Sequence, residues 1–172
     1  ERPRNSEVFQ KNVKFYTDSI DARSFNSDLE KALLRFVDAL DESDNNVAVT
    51  KLWGALESLV VKGLPNCDLM PSRVAARYGD SELAKQIVMH IREYRNALIH
   101  KGVGDDDSIH RAYHLQNFLA DLLNFYISPN HSFTSLDEAN KLLDKASLGK
   151  NKLISEMDTV KKALKFLKVD DE

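Results

Sequence analysis

Hydrophobic residues recur along most of this chain at intervals of three and four, the spacing that places side chains on one face of an α-helix. Residues 27–42 show it most clearly, with charged side chains opposite an apolar stripe of Leu29, Ala32, Leu33, Phe36, Val37 and Leu40. A second helix is predicted over residues 47–63, burying Leu52, Trp53, Leu56, Leu59 and Val60. The pattern therefore predicts an all-α fold, a helical bundle.

Five further helices continue the pattern. A short helix runs from Pro71 to Tyr78, and a long one runs from a cap at Ser81 to Gly102, a residue suited to a left-handed helix end. The core stripe of this long helix is expected to be Leu83, Ile87, Ile91, Tyr94 and Leu98. Residues 108–127 are apolar on two sides, so this helix is expected at the centre of the bundle. Two more helices are predicted over residues 135–147 and 150–168, whereas the first twenty residues fit neither period well.

The last predicted helix carries a seam at four-three-four-three spacing, made of Leu153, Met157, Val160, Leu164 and Leu167. Two heptads are fewer than a coiled coil needs, so the seam packs either on its own bundle or on a dimer mate. We accordingly divide the chain into an N-terminal extension or linker (1–23), a helical core (24–128) and a C-terminal helical hairpin (129–172).

Composition and charge narrow the class of protein. The 172 residues are 42% hydrophobic and 30% charged, and they contain no apolar run near the roughly 20 residues that span a bilayer. With Cys67 as the only cysteine, no internal disulfide can form, and we expect a cytoplasmic protein without a membrane partner. Because the chain does not begin with Met, we expect it to be part of a longer protein with an N-terminal regulatory or sensor domain.

The charge is unevenly distributed. The net charge of −3 argues against indiscriminate nucleic-acid binding, but residues 71–102 hold six Lys or Arg against three acids. A local basic surface suits a small, defined anionic target, and a solvated helix face is the plainer alternative.

The candidate chemistry lies at the end of the long helix, in Arg95, Asn96 and His100. Imidazole serves as a base or an acid near neutral pH, and a guanidinium group binds phosphate oxygens with two parallel donors. Residues five apart lie about 140° apart around a helix, so Arg95 and His100 converge only on a frayed last turn or across two subunits. Asn96 is four residues before His100, where its amide could orient the imidazole ring.

Three segments in order resemble the HEPN superfamily of helical nucleotide-binding domains. They are Lys31-Ala32-Leu33-Leu34-Arg35-Phe36, the helix from Lys51 to Leu59 with its Trp-x-Ala-Leu-Glu core, and Arg95-Asn96-x-x-x-His100-x-Gly102. Together they cover about residues 25–127. The C-terminal HEPN domains of bacterial phage-defence (abortive-infection) proteins are the most similar group.

This resemblance implies a HEPN-like bundle with additional C-terminal helices and a metal-independent endoribonuclease activity. It also implies a homodimer with a composite active site, acting on RNA, with transfer RNA as the candidate, in phage defence or toxin-like growth arrest. Arg95, His100 and Asn96 are the catalytic candidates, without a cofactor. The alternative is a catalytically silent HEPN module for dimerisation or for regulatory nucleotide or RNA binding.

The remaining candidates are secondary. Glu57, Arg92 and Lys101 are candidate substrate-binding residues. For Glu57, a role in steering Arg95 and an ordinary solvated or salt-bridged carboxylate are the two interpretations. His110 and His114 have a spacing that can hold zinc, but no third ligand is evident, so we expect no metal. Tyr94 and Tyr113 are candidates for stacking on bases, although the position of Tyr94 on the core stripe favours packing.

Overall fold

The predicted all-α fold is confirmed. The computed structural model describes residues 6–62, 67–102, 104–105 and 107–167, and these residues form eight helices and no strand. The helices are α1 (Ser6–Asp21), α2 (Asn26–Leu40), α3 (Asn45–Val60), α4 (Met70–Ala75), α5 (Ser81–Lys101), α6 (Ser108–Ile127), α7 (Leu136–Ala146) and α8 (Lys150–Phe166). None of the helices in this described part is long and apolar enough to cross a membrane.

Helices α3 and α6 pack against each other and form the centre of the bundle. The five α3 residues expected in the core are all buried, and Trp53 is 1% exposed. On α6 the buried residues include Leu115, Leu119 and Leu122, which agrees with the expected central position. Full burial of one such side chain contributes about 1.5–3 kcal/mol. This pair of helices therefore supports the elements that carry the candidate site.

Buried polar contacts hold α4 and α7 against this centre. The Arg73 guanidinium on α4 donates two hydrogen bonds to the Asp144 carboxylate on α7, each 2.7 Å long, and a third to the backbone carbonyl of Val60. The amide of Asn140 accepts a hydrogen bond from the Tyr126 hydroxyl at 2.7 Å and donates one to the Leu59 carbonyl at 2.8 Å. Such paired groups satisfy polar atoms that would otherwise be costly to bury.

The ends and faces of several helices differ from the sequence predictions. The cap of α5 is Asp80, whose carboxylate accepts a hydrogen bond from the Leu83 amide at 3.0 Å, and Ser81 is the first helical residue. Leu83 is 54% exposed, while Ala84 and Val88 fill the core positions in its part of the helix. The apolar stripe of α2 is likewise wider than the face its neighbours cover. Its exposed members are Val37 and Leu40.

The predicted N-terminal extension contains helix α1. Its Ile20 is buried in the common core, and the Tyr16 hydroxyl donates a hydrogen bond to the Asn124 side chain on α6 at 3.1 Å. After α1, Arg23 donates hydrogen bonds to the carbonyls of Ile127, Ser128 and His131 at the end of α6. The segment is therefore joined to the bundle at the end of α6.

Helix α8 contacts α7 and buries none of its residues. Along its predicted seam Met157, Val160 and Leu164 are 44–57% exposed. The structure therefore does not show this seam packed against its own bundle. The alternative, contact with a dimer mate, stays a prediction.

Candidate active site

Helix α5 is the platform of the candidate site. It holds 21 residues, which at 1.5 Å per residue span about 31 Å. Gly102 ends it in the left-handed conformation, with φ 63° and ψ 20°, and its backbone N–H donates to the Leu98 carbonyl at 3.0 Å. A side chain at this position would be strained, so glycine fits the helix end. The Arg-Asn-x-x-x-His motif thus occupies the last turn and a half of a regular helix.

Arg95 is half-buried between α5 and α3. Its Nη2 lies 3.9 Å from Oε2 of Glu57, and its Nη1 donates a hydrogen bond to Oδ1 of Asn96 at 3.2 Å. Its Nε is buried without a hydrogen-bond partner among the described residues. The guanidinium group is therefore held in place by two neighbours and retains an unused donor.

Glu57 is itself fixed by two further donors. Its Oε1 accepts hydrogen bonds from the indole N–H of Trp53 at 2.6 Å and from the Cys67 thiol at 3.2 Å. Trp53 and Glu57 are one turn apart on α3, so the buried indole anchors the carboxylate that faces Arg95. The arrangement places Glu57 beside Arg95, as its expected steering role requires.

The pKa of the Cys67 thiol depends on the charges of this cluster. Its partial burial raises its pKa, and the hydrogen bond to Glu57 and the negative charge of that carboxylate raise the pKa further. The positive charges of Arg92 and Arg95 act in the opposite direction. At Cys67 the burial and the acid outweigh the two arginines.

His100 is exposed on a different side of α5 from Arg95. The five-residue separation corresponds to about 140° around the helix and about 7.5 Å along it. Because α5 stays helical through Lys101, the expected route to convergence through a frayed last turn is closed within one chain. Of the two routes considered from the sequence, the meeting of residues across two subunits remains.

Asn96 does not orient His100 in this structure. Its side-chain oxygen accepts the hydrogen bond from Arg95, and among the described residues no hydrogen bond joins its amide to His100. Both Asn96 and His100 are exposed, so their side chains are accessible to a ligand.

The two predicted substrate-binding cations differ in their surroundings. Nη2 of Arg92 donates to a carboxylate oxygen of Asp68 at 3.1 Å, which ties it to the segment before α4. Lys101 is exposed on the last turn of α5, next to His100. Lys101 is therefore the more accessible cation for a phosphate near the imidazole.

Tyr94 is a structural residue and not a stacking platform. Its hydroxyl donates to the Asn46 side chain on α3 and accepts a hydrogen bond from the Asp105 amide at 3.2 Å. The Arg111 guanidinium lies 3.9 Å from the centre of the Tyr94 ring. It also forms an ion pair with the Asp105 carboxylate, and this pairing lowers the pKa of Asp105. These contacts fasten the segment that follows the motif to α3 and α6.

Sequence reasoning missed a groove between the first half of α5 and the start of α6. It has a volume of about 440 Å³, and His90, His110 and His114 all line it. The spacing of His110 and His114 is evident in the sequence, but His90 is isolated on α5, and only the folded chain brings it to the same groove. No group of three or more His, Cys, Asp or Glu side chains in the described ranges has a geometry that could hold a metal ion.

Comparison with protein-family models, with curated proteins and with solved structures finds no match to this chain.

Proposed function

We propose that this chain is a metal-independent endoribonuclease domain, similar to those of the HEPN superfamily. The observation that carries the proposal is the end of α5, where a guanidinium braced by Glu57 lies within a turn and a half of an exposed imidazole. An arginine held by a carboxylate is prepositioned for a phosphate, and an accessible histidine is available for proton transfer.

The chemistry that such a pair supports is transesterification of RNA. His100 takes the proton of the 2′-hydroxyl, whose oxygen attacks the adjacent phosphorus atom. The bond from phosphorus to the 5′-oxygen breaks, and the leaving oxygen takes a proton from an imidazolium group or water. The products are a 2′,3′-cyclic phosphate and a 5′-hydroxyl. Arg95 stabilises the negative charge that grows on the phosphate oxygens in the transition state.

A composite site in a homodimer reconciles this chemistry with the geometry of one chain. Arg95 and His100 point about 140° apart on one helix, so a second copy would supply the missing member of each pair. A two-fold symmetric interface that includes the end of α5 would place each Arg95 opposite the partner's imidazole.

The biological setting proposed here comes from the resemblance. A cytoplasmic effector domain would cleave RNA, with transfer RNA as the candidate substrate, in phage defence or toxin-like growth arrest. The remainder of a longer protein would restrain it until a trigger arrives.

One observation favours a second candidate, a catalytically silent module of the same type. The Arg95 guanidinium is already engaged by Glu57 and Asn96, and His100 lies on another side of the helix. A silent module would bind RNA or a second copy without cutting.

The test is cleavage of total transfer RNA by the purified domain in EDTA. We expect cleavage that leaves 2′,3′-cyclic phosphate ends and falls at least about 100-fold in both Arg95→Ala and His100→Ala. Arg35→Ala serves as the control because Arg35 is exposed on α2, and it should cleave at the wild-type rate. Equal cleavage by wild type and both motif variants would overturn the proposal, and binding of RNA without cleavage would support the silent module.

A further inference from the structure

The groove between α5 and α6 contains three of the five histidines of the chain. Leu83, Ile87 and Ile91 from α5 provide its apolar lining, and His90, His110 and His114 are half of its six polar lining residues. We propose that this groove binds single-stranded RNA a few nucleotides from the bond that is cut. The inference rests on the proposed function and adds to it the path of the substrate.

The imidazoles suit a single strand because they combine a hydrogen-bond donor with a flat ring. All three are exposed, so their N–H groups are accessible to phosphate and 2′-hydroxyl oxygens. The ring of His114 stacks on Phe118, with centroids 6.3 Å apart and planes inclined by 25°. Phe118 is buried and therefore fixes the orientation of the His114 ring. A base can stack on a ring that is held in this way.

The ring of Tyr113 meets His114 edge-on, beside the residues that line the groove. Its ring is 6.4 Å from that of His114, and the residue is 62% exposed. A tyrosine this exposed, beside an oriented imidazole, is typical of the platforms on which unpaired bases stack. Thus Tyr113, unlike Tyr94, keeps the stacking role considered from the sequence.

The charged residues that line the groove are Arg111 and Asp107. Arg111 lines it but is paired with Asp105, and Asp107 is the carboxylate that lines the groove directly. The positive charge of His90 helps to lower the pKa of the Asp105 carboxyl, so His90 lies within electrostatic reach of that pair. With Arg111 paired to Asp105, the other polar side chains that line the groove are the three imidazoles, Gln86 and Asp107.

The position of the groove on α5 connects it with the motif. His90 precedes His100 by ten residues, which corresponds to about 15 Å along the helix and about 80° around it. A strand whose scissile phosphate lies at His100 would therefore reach the groove by following one side of α5 over a few nucleotides. Gln86 and Lys101, at opposite ends of α5, flank this path.

RNA fits the groove better than a second copy of this chain does. The centre of a protein–protein interface is depleted of charged side chains, whereas this groove is lined by Asp107 and Arg111 as well as by the histidines. An apolar floor with a few polar groups around it is instead typical of a site that receives a small flat group such as a base.

The test measures binding separately from cleavage, in a His100→Ala background. The probe is a fluorescein-labelled oligouridylate in EDTA, and the readout is its dissociation constant by fluorescence anisotropy. We expect the combined change His90→Ala, His110→Ala and His114→Ala to weaken binding by about tenfold or more. His131→Ala, the histidine outside both the groove and the motif, should change binding less than about twofold. Thermal melting checks that each variant is folded.

The possible results separate this inference from the proposed function. An unchanged dissociation constant in the folded triple variant would overturn the groove as an RNA site, whether or not the wild-type chain cleaves. Weakened binding together with a wild-type chain that does not cut would support the groove and overturn the nuclease. A triple variant that loses dimer mass in sedimentation while keeping its RNA affinity would assign the groove to the contact between copies, against our proposal.

Discussion

The Glu57 carboxylate joins a buried indole, a thiol and a guanidinium group at the interface between α3 and the end of α5. A carboxylate such as that of Glu57 stabilises a nearby cation and destabilises a nearby anion. Cys67 therefore reports on the state of the site, because only its thiolate reacts with alkylating reagents.

We predict that Glu57→Gln makes Cys67 react about two- to fivefold faster with iodoacetamide at pH 7.5. The carboxylate raises the pKa of the thiol, so its removal lowers that pKa and increases the thiolate fraction. Arg95→Gln should slow the same reaction, because the positive charge of Arg95 acts to lower the pKa.

The control for this prediction is the alkylation rate in concentrated urea, which should be the same for all three proteins. Equal or slower alkylation of the native Glu57→Gln protein would mean that Glu57 does not determine the electrostatics beside Arg95.

For individual residues, the sequence predicts which side chains lie on a helix and where, but it does not predict which other side chains they contact. Placement of Arg95, Asn96 and His100 at the end of one helix follows from their spacing, whereas the position of Glu57 beside Arg95 depends on how α3 and α5 meet in the fold. The bond from Arg95 to Asn96, which displaces the expected contact of Asn96 with His100, depends on side-chain conformation. His90 joins the other two histidines only in the folded chain, where residues of α5 and α6 line one groove.

At the scale of the element, the apolar stripes predict the helices well and their covered faces less well. The spacing of apolar residues does not show how much of a helix face the neighbouring helices cover. Leu83, Val37 and Leu40 are therefore exposed although they lie on apolar stripes. The same limit applies to α8, which contacts α7 and buries none of its residues although its seam is regular.

For α8 we predict that Leu164→Ala changes the free energy of unfolding by less than about 0.5 kcal/mol. Leu143→Ala on α7 is the matched comparison and should cost about 2–5 kcal/mol, because Leu143 is 2% exposed and its removal leaves a cavity. Urea unfolding at low protein concentration measures both. A cost for Leu164→Ala equal to that for Leu143→Ala would mean that another surface covers the seam.

At the scale of the whole molecule, the central position of α6 and the buried face of α3 follow from their hydrophobic residues. The attachment of α7 does not, because it depends on polar pairs such as Arg73 with Asp144 that are far apart in sequence and are recognisable only after folding. The proposed composite site adds a further step, the relation between two copies, on which the proposed activity depends.

The final prediction tests that relation by mixing two inactive proteins. If each site takes Arg95 from one subunit and His100 from the other, a dimer of one Arg95→Ala chain and one His100→Ala chain has one intact site. Random assortment of equal amounts makes half of the dimers mixed, so activity should recover to about a quarter of the wild-type level. Cleavage of transfer RNA after joint unfolding and refolding measures the recovery, and a chain carrying both substitutions, mixed with either single variant, is the control that should stay inactive. No recovery in a mixture shown to contain mixed dimers would mean that the catalytic pair does not form across subunits, and would remove the geometric basis for a composite site.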